Sequence, residues 1–454
     1  MRHGRISHMM TEGPILKQLI LFSIPLLIGN IFQQLYNTVD SVVVGNFVGT
    51  TGLAAVGSSA PIINTLVGLF SGLATGGTVV ISQYYGAHDN KNIHDAVHTT
   101  VLMILILGVI FSFLGVWAVP AMLRMMKTPE NVMPQAEEYL SIYFAGISGL
   151  MLYNIGAGIL RAVGDSRRPL YFLLISALLN IVLDLVFVIN FNMGVAGVAY
   201  ATIIAQFVSA ALIMLVLMRT HGQYRLFLRH LRLNMSILKR IVCIGMPAAL
   251  QMAITAFSNV FVQSYINAFG SGCMAGWSAY SKVDQFVTLP MQSISIAATT
   301  FVGQNVGAKQ VERTHQGART SIMLGIGVTI VLTAIMLLFA RPLIAMFDNT
   351  PEVIHYGALF MYWMGTFVFL NCINQILAGI LRGMGDSKGP MIIFLGAFVV
   401  FRQIYLFIAS RLSAEFIPVA LGYPAGWLVC SIIIVIYYRR VAKKNLSALI
   451  DTLN

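Results

Sequence analysis

Apolar stretches of roughly 20 to 30 residues recur along the chain, separated by short polar breaks. At about 1.5 Å rise per residue, each is long enough to cross about 30 Å of hydrocarbon as a helix. The period-2 alternation of a barrel strand is missing. Backbone exposed to lipid must satisfy its hydrogen bonds within its own segment, so the pattern predicts an all-α integral membrane protein. Twelve spans are predicted, at 15–45, 53–82, 96–122, 133–159, 169–191, 195–218, 237–268, 276–303, 317–340, 352–379, 390–410 and 415–438.

The polar breaks repeat themselves. Residues 157–169 read AGILRAVGDSRRP and residues 378–390 read AGILRGMGDSKGP, 221 positions apart. The same offset, or 222, relates Gln83, Gly86 and Ala87 to Gln304, Gly307 and Ala308, His94 to His315, Thr128-Pro129-Glu130 to Thr350-Pro351-Glu352, and Pro25 and Asn37 to Pro247 and Asn259. The chain thus reads as two six-helix lobes. An even number of crossings per half relates them by a pseudo-twofold axis along the membrane normal, the geometry of an alternating-access carrier. The predicted divisions are 1–218 for the N-lobe, 219–236 for a basic linker, 237–438 for the C-lobe and 439–454 for a C-terminal tail.

Composition narrows the class. With 57% hydrophobic and only 10% charged residues, the chain is too apolar to hide its surface in a soluble core. Its net charge of +12 is a matter of topology. Placing both termini in the cytoplasm puts 22 of the 28 basic residues on the inner side, including Arg2, Arg5, those between Arg219 and Arg240, and Arg439 to Lys444. Nucleic acid is therefore not expected as a partner. The linker could lie on anionic lipid heads or be a solvated loop. The polar N-terminus has no apolar core followed by a cleavage site, and reads as a cytoplasmic tail. Cys243, Cys273, Cys372 and Cys430 show no paired spacing and read as packing residues. His88, His94 and His98 with Asp95 have metal-like spacing, but the stretch is a connection whose counterpart retains only His315, so no metal site is expected. Histidines at membrane depth are missing and no nucleophile–base pair is apparent, so the chain is not expected to be an enzyme.

Charges inside spans mark pathways or partners. Apart from those in the end turns of the predicted spans, five stand out: Asp40, Asp184, Lys282, Asp284 and Arg402. Helical rise places Asp40, Asp184 and Thr202 in the outer half of the bilayer in the first lobe, and Asn180 shares a helical face with Asp184. Two carboxylates, an amide and a hydroxyl form an oxygen-rich nest for Na⁺, or a pair in which one carboxyl holds a proton. Tyr36, Asn37, Tyr139 and Asn154 could complete this network. In the second lobe Phe401 and Tyr405 replace Asn180 and Asp184, while Lys282, Asp284 and Arg402 form either a charge-balanced structural group or a positive surplus that admits anionic or zwitterionic compounds. In the doubled corner motif, Arg161 and Arg382 suit helix C-termini, Gly164 and Gly385 suit a tight turn, and Asp165 or Ser166 can cap the fifth span as Asp386 or Ser387 can cap the eleventh. A structural corner is expected, without substrate contact.

The bent first span with Asn37 and Asp40, the elements SQYYGA and VGQNVGA, and the doubled LR..GDS..P resemble the multidrug and toxic compound extrusion (MATE) family over the whole chain. The resemblance implies two six-helix bundles that alternate between outward- and inward-open forms. It further implies a secondary active antiporter that exports organic, chiefly cationic, drugs or toxic metabolites in exchange for H⁺ or Na⁺, with no other cofactor. Asp40, Asn180, Asp184 and Thr202 match the N-lobe cation site of the DinF-like branch. The acidic residues of the NorM-like branch are absent from spans seven and ten, which offer Gln251 and Asn371. A multi-pass monomer in a bacterial inner (plasma) membrane is implied. The alternative is a flippase or exporter of lipid-linked, anionic or zwitterionic metabolites; a flippase would favour a more basic cavity than this acidic first lobe.

Overall fold

The computed structural model describes residues 9–412 and 415–451, with side chains placed through residue 442. Arg2 and Arg5, counted above among the inner basic residues, lie outside the described residues, as do the side chains of Lys443 and Lys444. Ten unbroken helices are long and apolar enough to cross a membrane: α1 Ile15–Val48, α2 Thr50–Gly86, α3 Asn90–Met125, α5 Arg167–Asn190, α6 Gly194–Arg219, α7 Met235–Asn267, α8 Ser271–Gly307, α9 Val311–Leu338, α11 Lys388–Leu412 and α12 Phe416–Ala442. Two bent pairs complete the twelve: α4, Met133–Ala145 with Ile147–Ala162 at 47°, and α10, Pro351–Gly365 with Val368–Gly383 at 53°. No strand occurs among the described residues.

All twelve lie where hydropathy places them, but α2 and α8 each run to 37 residues. Their polar ends, SQYYG and GQNVG, remain helical past the apolar stretch. The repeat extends to the backbone itself. The break in α4 at Gly146 recurs in α10 221 residues on, at Phe367. At Gly146 even a β-carbon would lie 2.3 Å from Ile203 of α6, so the kink permits a close crossing.

The chain divides into two compact units, and the division falls at the repeated prolines. One unit is built on Ile24–Met246; the other takes Met10–Ser23 together with Pro247–Asn454. Each unit therefore contains the opening turns of the helix that begins the other repeat. Pro25 and Pro247, each lacking an N–H, stand one or two residues from these crossovers. The paired glutamines explain how the opening turns are held. In the second unit Gln304 accepts the Met10 N–H at 2.7 Å, Asn305 donates to the Met10 carbonyl at 3.2 Å, and Arg313 donates to the same carbonyl. In the first unit Gln83 accepts a hydrogen bond from Arg240, whose guanidinium lies 5.0 Å from the Tyr84 ring centroid.

The basic linker is strapped onto the first unit. Arg232 donates to Asp95 at 2.7 Å, Asn234 donates to the same carboxylate at 3.2 Å, and the Phe227 N–H donates to His98 Nε2 at 3.0 Å. His98 Nδ1 faces the His94 carbonyl at 2.7 Å, so both ring nitrogens serve packing. Only the single turn Leu228–His230 is helical, which leaves no amphipathic helix to lie on lipid there.

The doubled corner motif has a structural account. Gly164 and Gly385 adopt φ of +90° and +95°, the left-handed region where a β-carbon is strained. Each closes a helix end: the Asp165 N–H donates to the Leu160 carbonyl and the Asp386 N–H to that of Leu381, both at 2.9 Å. Asp165 Oδ1 then accepts the N–H groups of Arg167 and Arg168 at 3.1 Å, and Asp386 Oδ1 accepts that of Gly389 at 2.9 Å. The aspartates, not the neighbouring serines, cap α5 and α11. Arg382 is buried and donates to Gln251 on α7 at 3.3 Å. Gly164→Ala and Gly385→Ala should each cost about 1 kcal/mol or more of stability. Thermal unfolding of the purified chain should show this, with efflux per folded molecule unchanged; a selective loss of efflux would give the corner a direct role in transport.

Candidate functional site

Asp40 on α1, Asn180 and Asp184 on α5, and Thr202 on α6 are all buried, Asp184 completely. The i,i+4 spacing sets Asn180 and Asp184 on one face of α5. The Asp40 and Asp184 carboxyls lie within electrostatic reach of each other across the two helices. Among the described residues, no donor reaches either oxygen of Asp184 or Oδ1 of Asp40, and neither the Nδ2 nor the Oδ1 of Asn180 has a hydrogen-bond partner. Thr202 spends its proton on the Val198 carbonyl at 2.9 Å and keeps its lone pairs as acceptors.

One turn along each helix from this polar group, the surroundings become dry. Val43 and Val44 of α1, Val188 of α5, and Val195, Val198 and Ala199 of α6 form one buried cluster with Tyr139 of α4. Tyr139 lies within electrostatic reach of both carboxylates, and Tyr36 within reach of Asp40. The other two supporting residues are engaged locally. Asn154 donates to the Leu150 carbonyl on its own helix at 2.9 Å, and Asn37 is exposed, bonding Gln34 at 3.4 Å. The structure therefore gathers Asp40, Asp184, Tyr36 and Tyr139, with Asn180 one turn from Asp184 on the same helix; Thr202 is buried and bonded within its own helix, and Asn37 and Asn154 are engaged locally.

Buried carboxylates without protein donors need their charge neutralised by a proton or a small cation. Carboxylate, amide and hydroxyl oxygens are the donors that hard cations prefer. No group of three or more His, Cys, Asp or Glu side chains among the described residues is arranged to hold a resident metal ion.

Among the described residues, the second unit has no counterpart to this nest. Phe401 and Tyr405 stand at the repeat positions of Asn180 and Asp184, and Tyr423 stands at that of Thr202. Tyr423 stacks on Trp277 at 5.4 Å between centroids, and Trp277 continues to Tyr280 at 5.5 Å and Phe360 at 5.0 Å. The three charged residues of this half do not form an ion-paired group. Arg402 is buried against Ser258, Asn259 and Tyr423; Asp284 accepts the Tyr280 hydroxyl at 3.2 Å; Lys282 is exposed, 5.3 Å from the Phe347 ring centroid. Sequence reasoning misses the aromatic wall, although at the 221-residue offset Trp277, Tyr280 and Tyr423 stand where the first half has Val56, Ser59 and Thr202; Phe360 matches the aromatic Tyr139 and carries no such signal.

Twelve crossings in two repeated halves, with buried charge at membrane depth, define a multi-pass membrane transporter. The MatE family model matches the chain twice, at residues 25–186 and 247–408. The chain is 30% identical over 439 residues to the probable multidrug resistance protein YpnP of Bacillus subtilis, covering 94% of this chain and 96% of that protein. It is 28% identical over 445 residues to the probable multidrug resistance protein YoeA of the same organism, covering 96% of each. Its fold matches that of a MOP superfamily transporter from Pyrococcus furiosus with a TM-score of 0.91 at 24% identity, over 98% of this chain and 99% of that one. The chain belongs to the MATE family of multidrug efflux transporters, which are carriers and not enzymes.

Proposed function

We propose that this transporter exports organic, chiefly cationic, compounds by alternating access in exchange for H⁺ or Na⁺, coupled through Asp40 and Asp184. The observation that carries this reading is the pair of buried carboxylates within electrostatic reach of each other, with Asn180 on the same helical face as Asp184 and three of the four carboxylate oxygens without a protein donor among the described residues. A site of this kind can be loaded by a proton or Na⁺ at one face of the membrane and emptied at the other. Asn180 and Thr202 contribute neutral oxygens, and Tyr139 closes the side of the nest. The coupling ion is a substrate of the exchange, and no other cofactor is required.

The bias of basic residues supports cytoplasmic termini, and the bacterial source of the chain's relatives supports a bacterial inner membrane. One chain holds the whole carboxylate group, consistent with a functional monomer. The test is efflux of a fluorescent organic cation from proteoliposomes holding the purified chain, under an imposed Na⁺ or H⁺ gradient. Acceleration by one gradient and collapse with its ionophore are expected; efflux indifferent to both gradients would refute the coupling.

A further inference from the structure

One buried charge has no role in the carboxylate reading. Arg402 lies ten residues before the end of α11 at Leu412, about 15 Å by helical rise, and is 2% exposed. Its Nη2 donates to Ser258 Oγ at 3.1 Å and to Asn259 Oδ1 at 2.8 Å. The guanidinium carbon lies 4.8 Å from the Tyr423 ring centroid and 6.0 Å from that of Phe398. All four partners are neutral, and Nε has no acceptor among the described residues. None of the ion pairs among the described residues includes Arg402. Asp284, which shares Tyr423 as a neighbour, is engaged by Tyr280 instead.

A guanidinium enclosed by neutral groups in a membrane carries a large uncompensated desolvation cost, which an anion would relieve. The surrounding geometry is fixed in advance. Ser258 donates to the Phe398 carbonyl at 3.0 Å and accepts from Gln403 Nε2 at 3.0 Å, so its remaining acceptor capacity is directed at Arg402. Asn259 is exposed, so the guanidinium meets the surface of the unit behind a single amide oxygen. Tyr423 is half-buried beside it and supplies an aromatic face.

We propose that Arg402, framed by Ser258, Asn259, Gln403 and Tyr423, is an anion-binding subsite of the second unit that takes a carboxylate or phosphate group. The group belongs either to an amphipathic organic anion or to an anionic lipid headgroup. The subsite is independent of the carboxylate pair and would extend the transporter's range beyond cations.

The test uses the full chain in phosphatidylcholine nanodiscs, with carboxyfluorescein binding read by anisotropy and tetraphenylphosphonium binding by equilibrium dialysis. Arg402→Gln should weaken carboxyfluorescein binding about tenfold or more, with tetraphenylphosphonium changed less than about twofold. Asn259→Asp places a carboxylate against the guanidinium in a side chain of the same shape, and should abolish dye binding without lowering thermal stability. Adding phosphatidylglycerol separates the two sources: competition in the native chain marks a headgroup as occupant, and no competition marks a free anion. The proposal fails if the native chain does not bind the dye in phosphatidylcholine, if Asn259→Asp binds it as tightly as the native chain, or if both ligands are lost together in both variants.

Discussion

Asp184→Asn is expected to reduce gradient-driven efflux at least about tenfold while leaving the protein folded. Asp184 is completely buried, neither carboxylate oxygen has a donor among the described residues, and its closest charged neighbour is Asp40. The asparagine side chain matches its shape but holds neither a proton nor a full negative charge, so the exchanged ion loses its site. Removing one of two facing carboxylates relieves repulsion and desolvation, so thermal stability should stay level or rise. Asp40→Asn should act in the same direction, and the double variant should be little worse than either single one, because the two carboxyls form one unit. Efflux in proteoliposomes, thermal unfolding of the same preparations and counterflow without a gradient separate the outcomes. A variant that retains native gradient-driven efflux excludes Asp184 as the coupling group. One that loses efflux together with its melting transition assigns Asp184 a structural role.

How much of this was legible beforehand follows from what kind of signal each feature leaves. Crossings are written in local hydropathy, so all twelve were found with small boundary errors; the excess length of α2 and α8 was missed because their polar ends carry no apolar signal. Asp40, Asn180 and Asp184 stood out because charge is rare in hydrocarbon, and helical rise placed them at one depth. Depth does not give rotation about the helix axis. For that reason spacing alone groups Asn37, only three residues from Asp40, with the site although its side chain is exposed and bonds Gln34. The second half shows the same limit. Lys282, Asp284 and Arg402 looked able to balance one another, yet Lys282 is turned outward and Arg402 inward. The exchange of opening turns at Pro25 and Pro247 was illegible for another reason: a hydropathy segment shows where a helix runs and nothing of which unit its first turns pack against.

The strongest expected effect on folding comes from a residue inside the doubled motif. Gly379 of α10 and Gly158 of α4 occupy the same place in the AGILR repeat, but their surroundings differ. A β-carbon on Gly379 would lie 2.7 Å from the Ser295 carbonyl oxygen, 2.5 Å from its hydroxyl and 2.9 Å from Thr299 Oγ1. Four residues on, a β-carbon on Gly383 would lie 2.7 Å from the Thr299 carbonyl oxygen, so α10 meets α8 backbone to backbone over a full turn. Two hydroxyl–carbonyl bonds fasten this contact, Ser295 to Gln375 at 2.7 Å and Thr299 to Gly379 at 2.9 Å. At Gly158 the close atom is the Thr78 hydroxyl at 2.6 Å, a side-chain atom, and the nearest backbone oxygen, of Ala74, is 3.6 Å away. A rotamer change can make room there, whereas moving the α8 backbone would disturb both interhelical bonds and the face of α8 that packs on α10. Gly379→Ala should therefore cost about 2–3 kcal/mol and Gly158→Ala about 1 kcal/mol or less. Gly379→Leu should give no monodisperse folded protein. Thermal melts and size-exclusion profiles of these three variants check the ranking. If Gly158→Ala proved as damaging as Gly379→Ala, stability would be governed by something the two corners share, such as backbone entropy, and not by the backbone contact that distinguishes them.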